Sequence, residues 1–320
     1  MTMRCFKAIL RSLSLVVVAA SLSSCFVGKY MCNYALKPEP KSIEKARSIN
    51  DERYPGVQQW YDSLRVSGVF RDTVLAFGEH NIHAVFAPAA RPSEAAGTAV
   101  VVHGYSDNHL SYMCIVRMYR DMLNFNVFVP DLYYHGLSDG DHVQMGWFDR
   151  FDVEKCIPVA HSIFKDDFTV LHGVSMGAAT VMMTSGDPLP EYVRAFVEDC
   201  GYSSVWEQYK HNLKSEFHLP AFPVLHSASS VCKKKYGWSF KEASSVNQLK
   251  KNTRPMLFIH GGNDDYVPTS HVYDNHNATA GYKEMWIAPG SEHARSYRDH
   301  PDEYLSRVGS FLNKVKTENL

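Results

Sequence analysis

Leu171-His172-Gly173-Val174-Ser175-Met176-Gly177-Ala178-Ala179-Thr180 is the stretch on which the reading of this chain turns. Phe168 to Leu171 is a short apolar run with β-branched residues, and helix formers follow Ser175. The pattern predicts a strand, a sharp turn and a helix. Inside the turn, Gly173 to Gly177 matches Gly-x-Ser-x-Gly, where a serine sits at a strained corner and flanking glycines let strand and helix backbones approach closely. Ser175 is therefore the candidate nucleophile. At average glycine and serine usage such a pentapeptide arises by chance in roughly one in ten chains of this length, so its context has to decide.

Outward from the turn, apolar runs and helical patterns alternate. Ala99 to His103, Asn126 to Pro130, Phe168 to Leu171, Ala195 to Glu198, Pro255 to Ile259 and Glu284 to Ala288 suit buried parallel strands. Helical patterns lie around 108–124, 151–165, 176–184, 270–277 and 301–315. Asp72 to Phe77 and Asn81 to Phe86, separated by Gly78-Glu79-His80, read as a leading antiparallel hairpin. The fold class is α/β: a mostly parallel, doubly wound sheet. The interval 203–252 is too long for a simple crossover and is rich in aromatics, including Trp206, Tyr209, Phe217 and Trp238. It reads as a short cap over the strand ends, or as an excursion packed on the sheet.

A serine hydroxyl attacks only when a base takes its proton and an acid orients that base. Two late loops offer these groups. Ile259 to Pro268 follows a strand and carries Asp264 and Asp265; Pro289 to Ala294 follows the last strand and carries His293. Asp264 is preferred over Asp265 and over Asp199, and His293 over His300, which already lies at the start of the last helix. His172, on the strand before the turn, points away from the nucleophile's approach. The developing oxyanion needs backbone donors. Met176 N–H, at the start of a helix, supplies one, and Tyr105 N–H, in the loop after Val100 to Val102, is the candidate for the other.

With 320 residues, 45% hydrophobic and 21% charged, the chain has a globular composition, and a net charge of −1 gives no reason to expect nucleic acid as a partner. Lys233 to Lys235 reads as a solvated face. Arg4, Lys7 and Arg11 precede an apolar run from Leu13 to Ala20, as in a signal peptide spanning residues 1–24. Leu22-Ser23-Ser24-Cys25 resembles a bacterial lipobox, whose cysteine is lipidated and becomes the mature N-terminus. The expected organisation is a lipid anchor on Cys25, a tether to about Pro40, a charged helix over Lys41 to Tyr54, and a catalytic domain over 56–320. Membrane attachment in the bacterial cell envelope follows. Of seven cysteines, five remain after Cys5 and Cys25; their irregular spacing suggests neither a disulfide framework nor a metal site, leaving small buried hydrophobes and room for one disulfide.

Val102 to Tyr105, Pro130 to Gly140, Gly173 to Gly177, His260 to Pro268 and Gly290 to His293 together resemble the α/β-hydrolase superfamily, most of all its serine aminopeptidase-like and prolyl-oligopeptidase-like domains. The resemblance covers 70–316. It implies the triad Ser175, Asp264 and His293, in the chain order serine, acid, histidine, with Tyr105 and Met176 as oxyanion donors and no cofactor or metal. Tyr134 departs from it, since relatives often carry glycine before His135. Met145 to Asp152 and Glu198 to Tyr202 also resemble a membrane-associated bacterial branch. The expected function is a serine esterase working through an acyl-enzyme on a small-molecule ester. A peptidase acting on short peptides is the second enzymatic reading, and a non-catalytic lipid-anchored binding protein the reading of another class.

Overall fold

The computed structural model describes residues 26–320; the targeting segment and Cys25 lie outside the described residues. Among the described residues three helices come first: α1, described over residues 26–36, α2 (Ile43–Arg53) and α3 (Val57–Val66). The hairpin follows as β1 (Arg71–Ala76) and β2 (Asn81–Ala87), paired antiparallel, then β3 (Thr98–Val102). The helix expected over 108–124 is a broken one: a 3₁₀ turn at His109–Tyr112, α4 (Met113–Arg117) and a π turn at Met118–Met122. An apolar pattern specifies which face is buried, not which carbonyl each amide takes. Here Leu123 N reaches back five residues to Met118 O, and Asn124 ends the run in the left-handed region at φ 57°.

The rest alternates as expected: β4 (Asn126–Pro130), α5 (Asp149–Phe164), β5 (Thr169–Val174), α6 (Met176–Thr184) and β6 (Val193–Asp199). Three cap helices follow, α7 (Val205–Phe217), α8 (Val224–Tyr236) and α9 (Ser245–Leu249). The chain then returns through β7 (Met256–Gly261), α10 (Ser270–Ala278), β8 (Lys283–Ala288), α11 (Ser296–Asp299) and α12 (Pro301–Thr317). The eight strands lie in the order β1-β2-β4-β3-β5-β6-β7-β8, with β2 antiparallel to both its neighbours and every other pairing parallel. Chain direction across the sheet reverses between β3 and β5, and in open α/β sheets the crevice at such a point is where ligands bind.

The strands are apolar on both faces because both faces are covered. Val100, Val102, Leu171, Phe196 and Phe258 pack into one layer, with residues of α1, α5, α6 and the cap. The alternating Ala99, Val101, Val170, Val197 and Ile259 pack into the other, with α3, α4 and α12. In the cap, Trp238 and Phe240 are fully buried. The Lys233 to Lys235 run is exposed in the last turn of α8, where cations favour the helix dipole. Cys32, Cys114, Cys156, Cys200 and Cys232 are all buried and free. No helix among the described residues is long and apolar enough to cross a membrane.

One expectation is corrected. The stretch after residue 25 is not a tether to Pro40: residues 26–36 form α1, and Gly28, Cys32 and Leu36, four residues apart on one face, are buried. A Cβ on Gly28 would stand 2.1 Å from Ser227 Oγ, so only glycine permits this contact with α8. The following residues are pinned as well. Val143 N donates to Leu36 O at 2.7 Å, Lys41 N to Ser106 O at 2.9 Å, and Lys41 pairs with Asp107. A short segment before the main domain looks like tether in sequence because the face it needs lies about 200 residues further on, in α8.

Asp149, at the start of α5, is fully buried and its carboxyl accepts one hydrogen bond, from Gly146 N at 2.7 Å. Burial lifts its pKa to about 8, against the help of that bond. The folded protein thus keeps a proton that the unfolded chain releases above about pH 4. Stability from this group is fully present below that value and falls as pH rises towards 8, since the unfolded state then binds fewer protons. Scanning calorimetry from about pH 5 to about pH 8 should show a falling Tm for the native protein and a flatter profile for Asp149→Asn. Parallel profiles would show that Asp149 is not the protonated group.

Candidate active site

Parallel registers bring five chain segments to one edge of the sheet. Val102 pairs with Gly173, Val174 with Asp199, Asp199 with Ile259, and Gly261 with Ala288, so the loops after β3, β5, β6, β7 and β8 open side by side. Ser175 stands between β5 and α6 at φ 58°, ψ −117°, a conformation that L-residues rarely adopt. Its neighbours explain why both motif glycines are needed. A Cβ on Gly173 would lie 2.1 Å from Gly177 O, and one on Gly177 2.1 Å from Val102 O.

Ser175 Oγ lies 2.8 Å from His293 Nε2, and His293 Nδ1 lies 2.7 Å from Asp264 Oδ2. With Nδ1–H donating to the carboxylate, Nε2 keeps a lone pair facing the serine hydroxyl. Asp264 Oδ1 accepts from Tyr266 N at 3.1 Å and Val267 N at 2.9 Å, which fixes the acid's rotamer. Burial by itself would raise this carboxyl, but hydrogen bonds from His260 and His293 hold it at about 2. The acid and base loops are also tied through the backbone: Asn263 N donates to Ser291 O at 2.9 Å, and Gly262 N to Ala288 O at 2.8 Å.

The rival residues face elsewhere. Asp199 accepts from Ser296 Oγ and Tyr304 OH, and burial lifts its carboxyl to about 6. Asp265 is exposed. His300 Nε2 donates to Pro289 O at 2.8 Å. His172 lies in the opposite layer between Tyr119 OH and Tyr304 OH, each 3.0 Å away, and burial holds its pKa down at about 3. Tyr304 donates to Asp199, so His172 Nε2–H donates to Tyr304 and Nδ1 accepts from Tyr119, satisfying every partner.

The loop after β3 abuts the serine: a Cβ on Gly104 would lie 3.4 Å from Ser175 Cβ. Tyr105 follows it, and Met176 N is the first amide of α6, where no intrahelical acceptor exists. Asp131 organises this corner. Its carboxylate accepts from His109 N, Leu137 N, His83 Nδ1 and His109 Nδ1. Burial disfavours that charge, yet the bonds from His109 and His83 hold the carboxyl well below the usual range. His83, His109 and Asp131 have the spacing of a metal site. These hydrogen bonds already occupy the carboxylate, and the set works as an anion hub instead. From the same loop, His135 Nε2 accepts from Ser106 N and His103 Nε2 accepts from Leu132 N, which ties the Tyr105 turn to the hub.

Tyr134, the departure from the family pattern, has φ 69°, the left-handed region that glycine adopts without cost. Its hydroxyl donates to Pro38 O at 3.1 Å, a contact that glycine could not make. The departure thus links the Asp131 loop to the chain leaving α1.

Above Ser175 lies a cavity of about 390 Å³, lined by Tyr105, Met145, Ser175, Met176 and Tyr266, by cap residues such as Tyr209, Phe217 and Leu225, and by Met31, Tyr34 and Ala35 of α1. Tyr105 OH and Tyr209 OH both donate to Ala35 O, at 2.9 and 3.3 Å. The α1 wall was not legible in sequence, where only the spacing of Gly28, Cys32 and Leu36 hints at a packed helix. Among the described residues, Glu216 on α7 is the one carboxylate side chain that lines the cavity.

The chain matches the prolyl oligopeptidase family over residues 152–318. It is 29% identical over 225 residues to the uncharacterized protein YqkD of Bacillus subtilis, covering 70% of this chain and 73% of that one. Among solved structures, the Pyrococcus furiosus esterase Pf2001 superposes with a TM-score of 0.62 at 18% identity, over 78% of this chain and 95% of its own. The proline iminopeptidase of Mycobacterium smegmatis superposes at 0.55 and 14% identity, over 76% and 98%. The α/β-hydrolase fold and a family match over more than half the length agree, and the chain is a serine hydrolase belonging to the prolyl oligopeptidase family.

Proposed function

We propose that the protein is a serine esterase that cleaves carboxylic esters of small molecules through an acyl-enzyme. The observation that carries this reading is a cavity walled mainly by apolar and aromatic side chains that opens directly onto Ser175. His293 Nε2 removes the Ser175 Oγ proton as Oγ attacks the ester carbonyl. Met176 N–H and Tyr105 N–H stabilise the oxyanion, His293 returns the proton to the leaving alcohol, and water repeats the sequence to release the acid. Asp264 fixes the imidazole tautomer and balances its charge. The chain is proposed to be exported and held in the cell envelope by lipid on Cys25.

One observation favours the peptidase reading as well: the Glu216 carboxylate in the cavity wall could hold a substrate's free amine. A cationic aminoacyl ester and a neutral acyl ester of matched size separate the two.

Ser175→Ala should abolish hydrolysis of a short-chain nitrophenyl ester and block fluorophosphonate labelling. Asp264→Asn should lower kcat by about 10⁴-fold, while Asp199→Asn stays within about tenfold of native. A larger loss in the Asp199 variant would move the acid to that strand. Under the peptidase reading, Glu216→Gln raises KM for the aminoacyl ester far more than for the neutral one; equal shifts exclude it. Cys25→Ala should remove acyl labelling and shift the protein out of the membrane fraction; unchanged fractionation with no loss of acyl labelling would sink the anchor.

A further inference from the structure

The outer stripe of α1 is aromatic and bare. Phe26, Tyr30 and Tyr34, spaced four residues apart, are 74%, 60% and 52% exposed. The other two stripes are engaged: Gly28, Cys32 and Leu36 pack inward, and Met31 and Ala35 line the cavity. Helix α1 runs beside α8 in the same direction, with Gly28 against Ser227 and Lys235 Nζ 3.4 Å from Asn33 Oδ1. That register sets Phe26 level with the start of α8, beside the α7–α8 loop, whose Phe222 and Leu219 are 72% and 40% exposed. Tyr34 belongs both to the bare stripe and to the cavity wall, and its ring meets Phe217 edge-on at 5.3 Å. The cavity therefore opens beside this apolar patch.

Surface aromatics clustered in this way mark an interaction site. The chain itself indicates the partner. Residues 1–25 carry the positive segment, the apolar run and Cys25, which directly precedes the described part of α1. Any attachment of Cys25 to lipid places Phe26 within one residue of the bilayer. Aromatic rings with a polar edge, such as those of Tyr30 and Tyr34, are suited to the headgroup boundary.

We infer that α1 and the α7–α8 loop form a membrane-docking face on a lipid bilayer, and that the adjoining cavity takes the acyl chain of an amphiphilic ester directly from that bilayer. The substrate class rests on the esterase reading, and the choice of a bilayer as the partner rests on the proposed lipid on Cys25.

The test uses the full chain reconstituted in vesicles of phosphatidylcholine and phosphatidylglycerol. A tryptophan introduced as Phe222→Trp should be quenched by brominated acyl chains, whereas one introduced as Val66→Trp, exposed on α3 in the opposite layer, should not. The triple variant Phe26→Ser, Tyr30→Ser, Phe222→Ser should lose about tenfold or more activity on a long-chain ester embedded in the vesicles. It should keep its activity on a soluble short-chain ester. Equal activity of variant and native protein on the embedded ester, or no quenching at Phe222→Trp, overturns the docking face. A dimer of the native protein in detergent that the triple variant abolishes would overturn it too, by giving the patch to a second copy. Quenching together with ester rates that are insensitive to Ser175→Ala would leave the face standing and remove the esterase reading instead.

Discussion

Ser175 occupies a backbone conformation that costs an L-residue about 1–3 kcal/mol, and the surrounding strand, helix and neighbouring strands hold it there. Gly173 and Gly177 let β5, α6 and the end of β3 close to a distance that no side chain would allow. Ser175 N donates to Asp199 O and Ala179 N to Ser175 O, so the strained residue loses no backbone hydrogen bond. The strain turns Oγ out of the sheet edge towards His293 and places the first free amides of α6 beside it. Relaxing the corner would lose the aim of the proposed nucleophile and one proposed oxyanion donor together.

Every other part of the site answers to that corner. The acid and base loops come from β7 and β8, strands paired to each other at the same level, and two backbone hydrogen bonds lock the loops together. The loop carrying Tyr105 comes from β3 and is braced from behind by the Asp131 hub. That hub is an ionised carboxylate kept in a buried place by four donors, a case in which directed hydrogen bonds outweigh desolvation. Asp199 shows the opposite balance: fewer donors, and a carboxyl pushed up by burial. The two environments separate a charged hub that braces the Tyr105 loop from a carboxyl that ties α11 and α12 to the sheet.

The cavity belongs to three separate pieces of chain: the sheet edge, the cap between β6 and β7, and α1. Tyr105 and Tyr209 both donate to Ala35 O, so the proposed oxyanion loop, the cap and the first helix share one acceptor. Tyr134 adds a further tie by reaching Pro38. Whatever positions α1 therefore also shapes the space above Ser175, and this couples the proposed membrane face to substrate entry.

The sequence by itself determined the strand order of events: apolar β-branched runs, helix formers between them, and a glycine-flanked serine at one turn. It determined Ser175, Asp264 and His293 as candidates because each is local to a loop after a strand, and local turn chemistry is written in neighbouring residues. It preferred Asp264 to Asp199 without a contact to separate them, since Asp199 ends β6 and Asp264 lies in the loop after β7, at the same edge. The tertiary structure supplies that contact: Asp264 faces His293 Nδ1, whereas Asp199 faces Tyr304. Nor could the sequence show α1, read as tether, as a wall of the cavity. Its buried stripe of Gly28, Cys32 and Leu36 is too short and too mixed to signal a packed helix until α8, far along the chain, supplies the surface it fits.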